Sequence, residues 1–116
     1  DAFGFLDPIY SSGIYLALKS GEWAADAVHD AFESDDFSAE RLGVFGPKLN
    51  EGMEALRKLV YAYYTKDFSF GRFLRRFPEC QQGIIDILSG NVYADSVRRI
   101  FGPMAEMCEL PEEITL

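Results

Sequence analysis

Gly13-Ile14-Tyr15-Leu16-Ala17-Leu18-Lys19-Ser20-Gly21-Glu22-Trp23-Ala24-Ala25-Asp26-Ala27-Val28-His29-Asp30-Ala31-Phe32 is the stretch that decides the fold. Apolar residues recur at Ile14, Ala17, Leu18, Gly21, Ala24, Ala25, Val28, Ala31 and Phe32, which is the 3.6-residue period of an amphipathic helix. Much of that stripe is small. Ala17, Gly21, Ala24 and Ala25 let another backbone come to contact distance, so the helix is expected to lie against something flat and close. Ser11-Ser12-Gly13 ahead of it offers N-cap hydroxyls, and Asp7-Pro8 before that biases the chain into a turn.

Downstream, the polar run 33–38 breaks the pattern and Ser38 caps a second long helix over 39–64. Phe45, Leu49, Met53, Leu56, Leu59, Val60 and Tyr63 or Tyr64 form its expected buried face. Gly46-Pro47 lies inside this span, and the proline removes a ladder bond, so a kink or a split is expected there. Shorter helices follow over 70–76, from Pro78 to about Leu88 with a stop at Gly90-Asn91, and over 92–101, before Gly102-Pro103 opens a last turn through Met107. The Phe3–Leu6 stub is the sole strand candidate, and the expected class is mainly α.

Composition narrows the function. The chain has 116 residues, with 11 Lys+Arg against 19 Asp+Glu, a formal charge of −8, and 48% hydrophobic residues, as in an ordinary globular domain. Net acidity removes the counterion-release term that drives nucleic-acid binding. No apolar run approaches the roughly 18 residues of a membrane-spanning helix, and no signal peptide opens the chain, so a cytoplasmic location is expected. Cys80 and Cys108 cannot build a disulfide scaffold or a four-ligand zinc site, and with His29 as the single histidine no metal is expected. The chain begins at Asp1, without Met, on the apolar run Asp1-Ala2-Phe3-Gly4-Phe5-Leu6, which reads as a cut through a larger protein; removal of a leader is the alternative.

Several clusters invite bland and sharp readings side by side. Glu22, Asp26, Asp30 and Glu33 make an acidic helix face, read as solvated rather than metal-binding, and His29 beside them reads as a charge partner. Cys80 has no local histidine and is expected to be an idle thiol. Tyr61, Tyr63, Tyr64, Phe68, Phe70, Phe73 and Phe77 are read as core packing, with an apolar substrate pocket or partner surface as the other option. Arg72, Arg75 and Arg76 are expected to form an intramolecular salt-bridge face.

A Gly-containing turn feeding a helix N-terminus is a site for an anion or a phosphate, although Ser-Ser-Gly alone is an ordinary N-cap. The longer pattern says more. Asp1-Ala2, Asp7-Pro8, Ser11-Ser12-Gly13-Ile14, Leu16-Ala17, Ser20-Gly21 and Ala24-Ala25 together resemble the second flavin-binding motif of FAD-dependent oxidoreductases, in the version of flavin-dependent halogenases and geranylgeranyl-reductase-like enzymes. A weaker resemblance to the helical C-terminal region of those enzymes runs through Phe68-Ser69-Phe70, Phe77-Pro78-Glu79 and Leu88-Ser89-Gly90-Asn91-Val92.

The resemblance implies a C-terminal fragment of such an oxidoreductase, with residues 1–33 closing the FAD-binding domain and 34–116 forming its helical C-terminal region. It places Asp1 on the FAD ribityl chain, Asp7, Pro8 and Ile9 in the turn near the isoalloxazine and ribityl oxygens, and Gly13 and Ile14 where the helix N-terminus faces the flavin pyrimidine edge. In halogenases the turn matched by Ser12 and Gly13 binds the halide. No Gly-x-Gly-x-x-Gly is present, and in the family that element, the catalytic Lys and a Trp-x-Trp-x-Ile-Pro stretch all lie upstream. The implied partners are a small-molecule substrate, a halide in the halogenase case, and the missing N-terminal FAD domain. By itself the chain is expected to be inactive, to bind FAD poorly and to self-associate through its Ala/Gly stripe. Halogenase, reductase and monooxygenase stay open on these residues, the latter two acting on an isoprenoid or aromatic substrate. A stand-alone helical interaction module is the reading from a different class.

Overall fold

The structure, a computed structural model, describes Gly4, Leu6 and residues 12–114. It is mainly α, and among the described residues there is no strand; the Phe3–Leu6 stub lies largely outside them. Among the described residues six helices follow one another: α1 Ser12–Ser34, α2 Ala39–Leu42, α3 Gly46–Tyr64, α4 Phe70–Arg76, α5 Gln81–Leu88 and α6 Asp95–Ala105, with a 3₁₀ turn Pro78–Cys80 leading into α5. The long second helix does split at the expected place. Gly43 to Phe45 form a turn, and Pro47 enters the first turn of α3, where its missing N–H has no ladder partner to lose. Ser38 caps α2, its side chain accepting from the Arg41 amide at 3.2 Å.

Two boundaries differ from the pattern. The helix expected over 92–101 starts at Asp95 and runs through Pro103 to Ala105, because a proline one turn from the helix end deletes a single hydrogen bond. Residues 91–94 are a turn instead, with the Ala94 amide on the Asn91 carbonyl at 3.2 Å.

Phe73, Leu59, Ile100, Met104 and Val97 are the largest fully buried side chains, contributed by α4, α3 and α6. α5 crosses α6 at close quarters, with Gly83 of α5 facing Ser96 and Ile100. The aromatic stretch divides: Phe68 and Phe73 are buried in the core, whereas Tyr61, Tyr63 and Tyr64 at the end of α3 are exposed, contrary to the buried role expected for Tyr63 or Tyr64. Leu56, Leu59 and Ala62 hold the core face of α3 there; Tyr61 and Tyr64 lie off that face, while Tyr63 shares the side of Leu56 but falls in the last turn of the helix. The tail after α6 runs back along α3, with Asn50 Nδ2 donating to the Ile114 carbonyl at 3.0 Å and Lys58 Nζ 2.5 Å from Glu113.

α1 departs most from expectation. Its core face is Ser12, Leu16, Ala27 and Ala31, with Trp23 half-buried between them. Of the stripe read from the sequence only Ala31 joins this face; Ile14, Leu18, Val28 and Phe32 are 69%, 72%, 45% and 70% exposed, and Ala17, Gly21 and Ala25 are exposed with them. At about 100° per residue the two faces lie roughly 150° apart around the helix. The acidic face of Glu22, Asp26, Asp30 and Glu33 is solvated as expected. With a principal extent of 53 Å and a radius of gyration of 16.2 Å, the molecule is longer than the roughly 13 Å radius of a compact chain of this size.

Trp23 pins α1 to the rest. It meets Tyr93 edge-on at 5.4 Å, and Lys48 Nζ sits 4.8 Å from the Trp23 ring centre and 5.6 Å from that of Tyr93. The Tyr93 hydroxyl is buried without a hydrogen-bond partner among the described residues, and burial first, then Tyr15 and Glu51, pushes its pKa up to about 12. Since the ring does the packing and the hydroxyl is unpaired, Tyr93→Phe is expected to hold stability or raise it by up to about 1 kcal/mol. Urea unfolding of both chains checks this, and a loss of more than about 1 kcal/mol would show the hydroxyl to be paired after all.

Candidate functional site

The site is built at the start of α1. An α-helix leaves its first four amides without internal partners, and these carry the positive end of the dipole. The first turn of α1 contains no acidic side chain to offset that charge. Ser12 is the first helical residue rather than the cap, and Ser11 lies outside the described residues. Inside the helix the Ser12 side chain is only 7% exposed, and its Oγ has no hydrogen-bond partner among the described residues. Gly13 and Ile14 next to it are exposed. A helix N-terminus thus presents an open edge at Gly13 and Ile14 and an orphaned hydroxyl on its buried side.

Behind that hydroxyl is a cavity of about 210 Å3. Leu56, Leu59, Ile87 and Val92, all buried, make its apolar walls. Ser12 and Tyr15 form one lip, and the Ser89–Gly90 turn forms the other. That turn is closed by Gly90 in the left-handed region, φ +90, with Ser89 Oγ donating to the Asp86 carbonyl at 3.1 Å. The Asp86 carboxylate accepts from Ser96 Oγ and from Gln82 Nε2, the latter at 3.1 Å. The Ser96 hydrogen bond is the main cause that holds Asp86 below the usual carboxylate range, and it fixes the end of α5 to α6.

A second cavity, about 440 Å3, lies between α3, α6 and the tail, but its charges are answered internally. Arg98 pairs with Glu51 at 2.7 Å and Lys58 with Glu113 at 2.5 Å, while the buried Glu54 is held by the Arg57 guanidinium, with Nε at 2.9 Å. Among the described residues no group of three or more His, Cys, Asp or Glu is placed to hold a metal. Cys80 and Cys108 are buried free thiols whose burial pushes both pKa values up, which suits inert packing. In the arginine cluster, Arg76 pairs with Glu106 at 3.1 Å and Arg72 donates to the Asp67 carbonyl.

Of the residues singled out from the sequence, Ser12, Gly13 and Ile14 stand together at the N-terminus of α1. Asp1, Asp7, Pro8 and Ile9 lie outside the described residues. The cavity walls were not anticipated: Leu56, Leu59, Ile87 and Val92 come from three distant segments, and no local pattern joins them.

Three curated proteins match this chain. It is 28% identical over 107 residues to the 1H-pyrrole-2-carbonyl-peptidyl-carrier-protein chlorinase of Pseudomonas fluorescens, covering 92% of this chain and 24% of the relative. It is 30% identical over 90 residues to the corresponding brominase of Pseudoalteromonas luteoviolacea, covering 78% of the chain and 22% of the relative. It is 30% identical over 107 residues to the digeranylgeranylglycerophospholipid reductase of Thermoplasma volcanium, covering 91% and 26%. Halogenases and a geranylgeranyl reductase are the two kinds of enzyme that the N-terminal pattern resembles. The chain spans about a quarter of the length of the curated relatives it matches. No family model matches, and no solved structure matches. Among the described residues no helix is long and apolar enough to cross a membrane.

Proposed function

We propose that this chain is the helical C-terminal part of an FAD-dependent oxidoreductase of the halogenase-like group, with residues 1–33 completing the flavin-binding domain and 34–116 packing beside it. One observation carries the reading: the N-terminus of α1 has no acidic side chain in its first turn to offset its positive end, and among the described residues its outer stripe from Ile14 to Phe32 is uncovered. The relatives, two halogenases and a reductase, support it.

The residues present fit a flavin. The electron-rich pyrimidine edge of the ring, or a halide beside it, needs donors and positive potential, and the first-turn amides of α1 would supply both. Gly13, exposed and without a side chain, would let the backbone come close on that side, and the exposed Ile14 would cover the edge with an apolar side chain. Asp1 would hold the ribityl hydroxyls, and Asp7, Pro8 and Ile9 would form the turn along the ring. Ser12 and Gly13 would hold the halide in the halogenase reading. When bound, FAD in its reduced form supplies the reaction with oxygen and halide, or the reduction of an unsaturated substrate. The catalytic Lys of a halogenase is expected upstream and is assigned to no residue here. The uncovered stripe is also the surface through which this chain alone would self-associate.

The test takes the protein encoded by the whole reading frame and supplies reduced flavin, oxygen and bromide. Bromide-dependent incorporation into an aromatic acceptor, read by mass spectrometry, is the expected result. A flavin-loaded protein that halogenates nothing but reduces an isoprenoid double bond would replace the halogenase reading with the reductase reading.

A further inference from the structure

We propose that the far end of α1, where Val28, Phe32 and Phe37 form an exposed apolar patch, docks on a basic face of the part of the flavin-binding domain that lies outside this chain. The inference rests on the function proposed above and adds the chemistry of the surface that α1 meets. Phe32 and Phe37 are 70% and 51% exposed and stand edge-on to each other at 5.1 Å, a paired aromatic knob with Val28 one helical turn before it. Trp23, which holds α1 to the rest, lies nine residues before Phe32, about 13 Å along the helix axis. The patch continues the outer stripe of Ile14, Leu18, Gly21 and Ala25, so a single surface covers both.

Charge sets the sign of the partner. Glu22, Asp26, Asp30 and Glu33 are all exposed and follow one another at spacings of four, four and three residues. At about 100° per residue, Glu22 and Glu33 border the apolar stripe on one side. Like charges at these spacings repel across the helix surface. The last turn adds to the cost, because it holds no basic side chain and places Glu33 at the negative end of the dipole, with Asp35 just beyond. Lys19 pairs with Glu22 at 2.7 Å and Arg41 stands 3.7 Å from Asp36, but among the described residues no cation pairs with Asp26, Asp30 or Glu33. The arrangement weakens the helix on its own. Lys or Arg side chains on the facing surface turn that repulsion into attraction and fix the register, while the aromatic pair fills an apolar hollow beside them.

The double change Asp26→Lys and Glu33→Lys is made both in the 116-residue chain and in the protein encoded by the whole reading frame. In the short chain it relieves the repulsion, so the melting temperature should rise by about 3–6 °C. In the whole protein the new lysines meet the basic surface, so the melting temperature should fall and flavin bound per chain should drop by more than about ten-fold. Asp26→Asn with Glu33→Gln loses the attraction without adding repulsion and should cost the whole protein less, about three-fold in bound flavin. A whole protein that carries the lysines, keeps its flavin and melts higher, as the short chain does, would overturn the proposal and leave the flavin reading standing. A whole protein that binds no FAD before any substitution would overturn that reading, and this inference with it.

Discussion

In the protein encoded by the whole reading frame, Leu18→Glu is expected to cut bound flavin by more than about ten-fold, while the 116-residue chain carrying the same change unfolds within about 0.5 kcal/mol of the parent. Leu18 is 72% exposed here and lies on the outer stripe of α1 with Ile14, Gly21, Ala25, Val28 and Phe32. Nothing in the chain's own core depends on it. In the proposed enzyme the same stripe packs on the flavin-binding domain, where small residues allow close approach and a carboxylate would be buried without a partner. That burial costs about 3–5 kcal/mol, enough to separate the domain from the helix that completes its site. Flavin absorbance per chain and urea unfolding of the two proteins give both numbers. A whole protein that keeps its flavin with Glu at this position would show that the stripe faces solvent there too.

The second large effect lies inside the helical region. Gly83→Ala should destabilise the chain by about 3 kcal/mol and lower its melting temperature by about 10–15 °C. A methyl at Gly83 would come within 2.4 Å of both Ile100 Cγ2 and the Ser96 carbonyl oxygen. The isoleucine can turn aside, but the backbone of α6 cannot without moving the helix away from α5. Gly102→Ala in α6 is the matched comparison, since nothing lies within 4 Å of its added carbon. There the better helix propensity of alanine should raise stability by about 0.5–1 kcal/mol. Equal melting temperatures for the two variants would mean that α5 and α6 are not packed this closely.

How far the sequence carried this reading varies by element. Helix positions follow from local signals that act over a few residues: Ser38 capping α2, Pro47 in the first turn of α3, and Gly90 stopping the chain after α5. The choice of face on α1 does not. The helix has two apolar sides, Leu16–Trp23–Ala27–Ala31 and Ile14–Leu18–Val28–Phe32, and periodicity weights the longer one without saying which the chain itself covers. Trp23 decides it, through contacts with Tyr93 and Lys48 that lie far along the sequence. For the proposed site, the start of a helix at Ser12–Gly13–Ile14 was legible because its signals are local. The burial of Ser12 and the cavity behind it were not, since they arise where residues 56, 59, 87 and 92 converge.

The most direct measurement of the central claim is the visible absorption spectrum of the purified protein encoded by the whole reading frame, with the bound cofactor released and quantified. The account predicts a yellow protein that holds FAD at one per chain and loses it when Leu18 is replaced by Glu. A colourless protein that takes up no FAD on reconstitution would contradict it, and α1 would then be a helix awaiting some other partner.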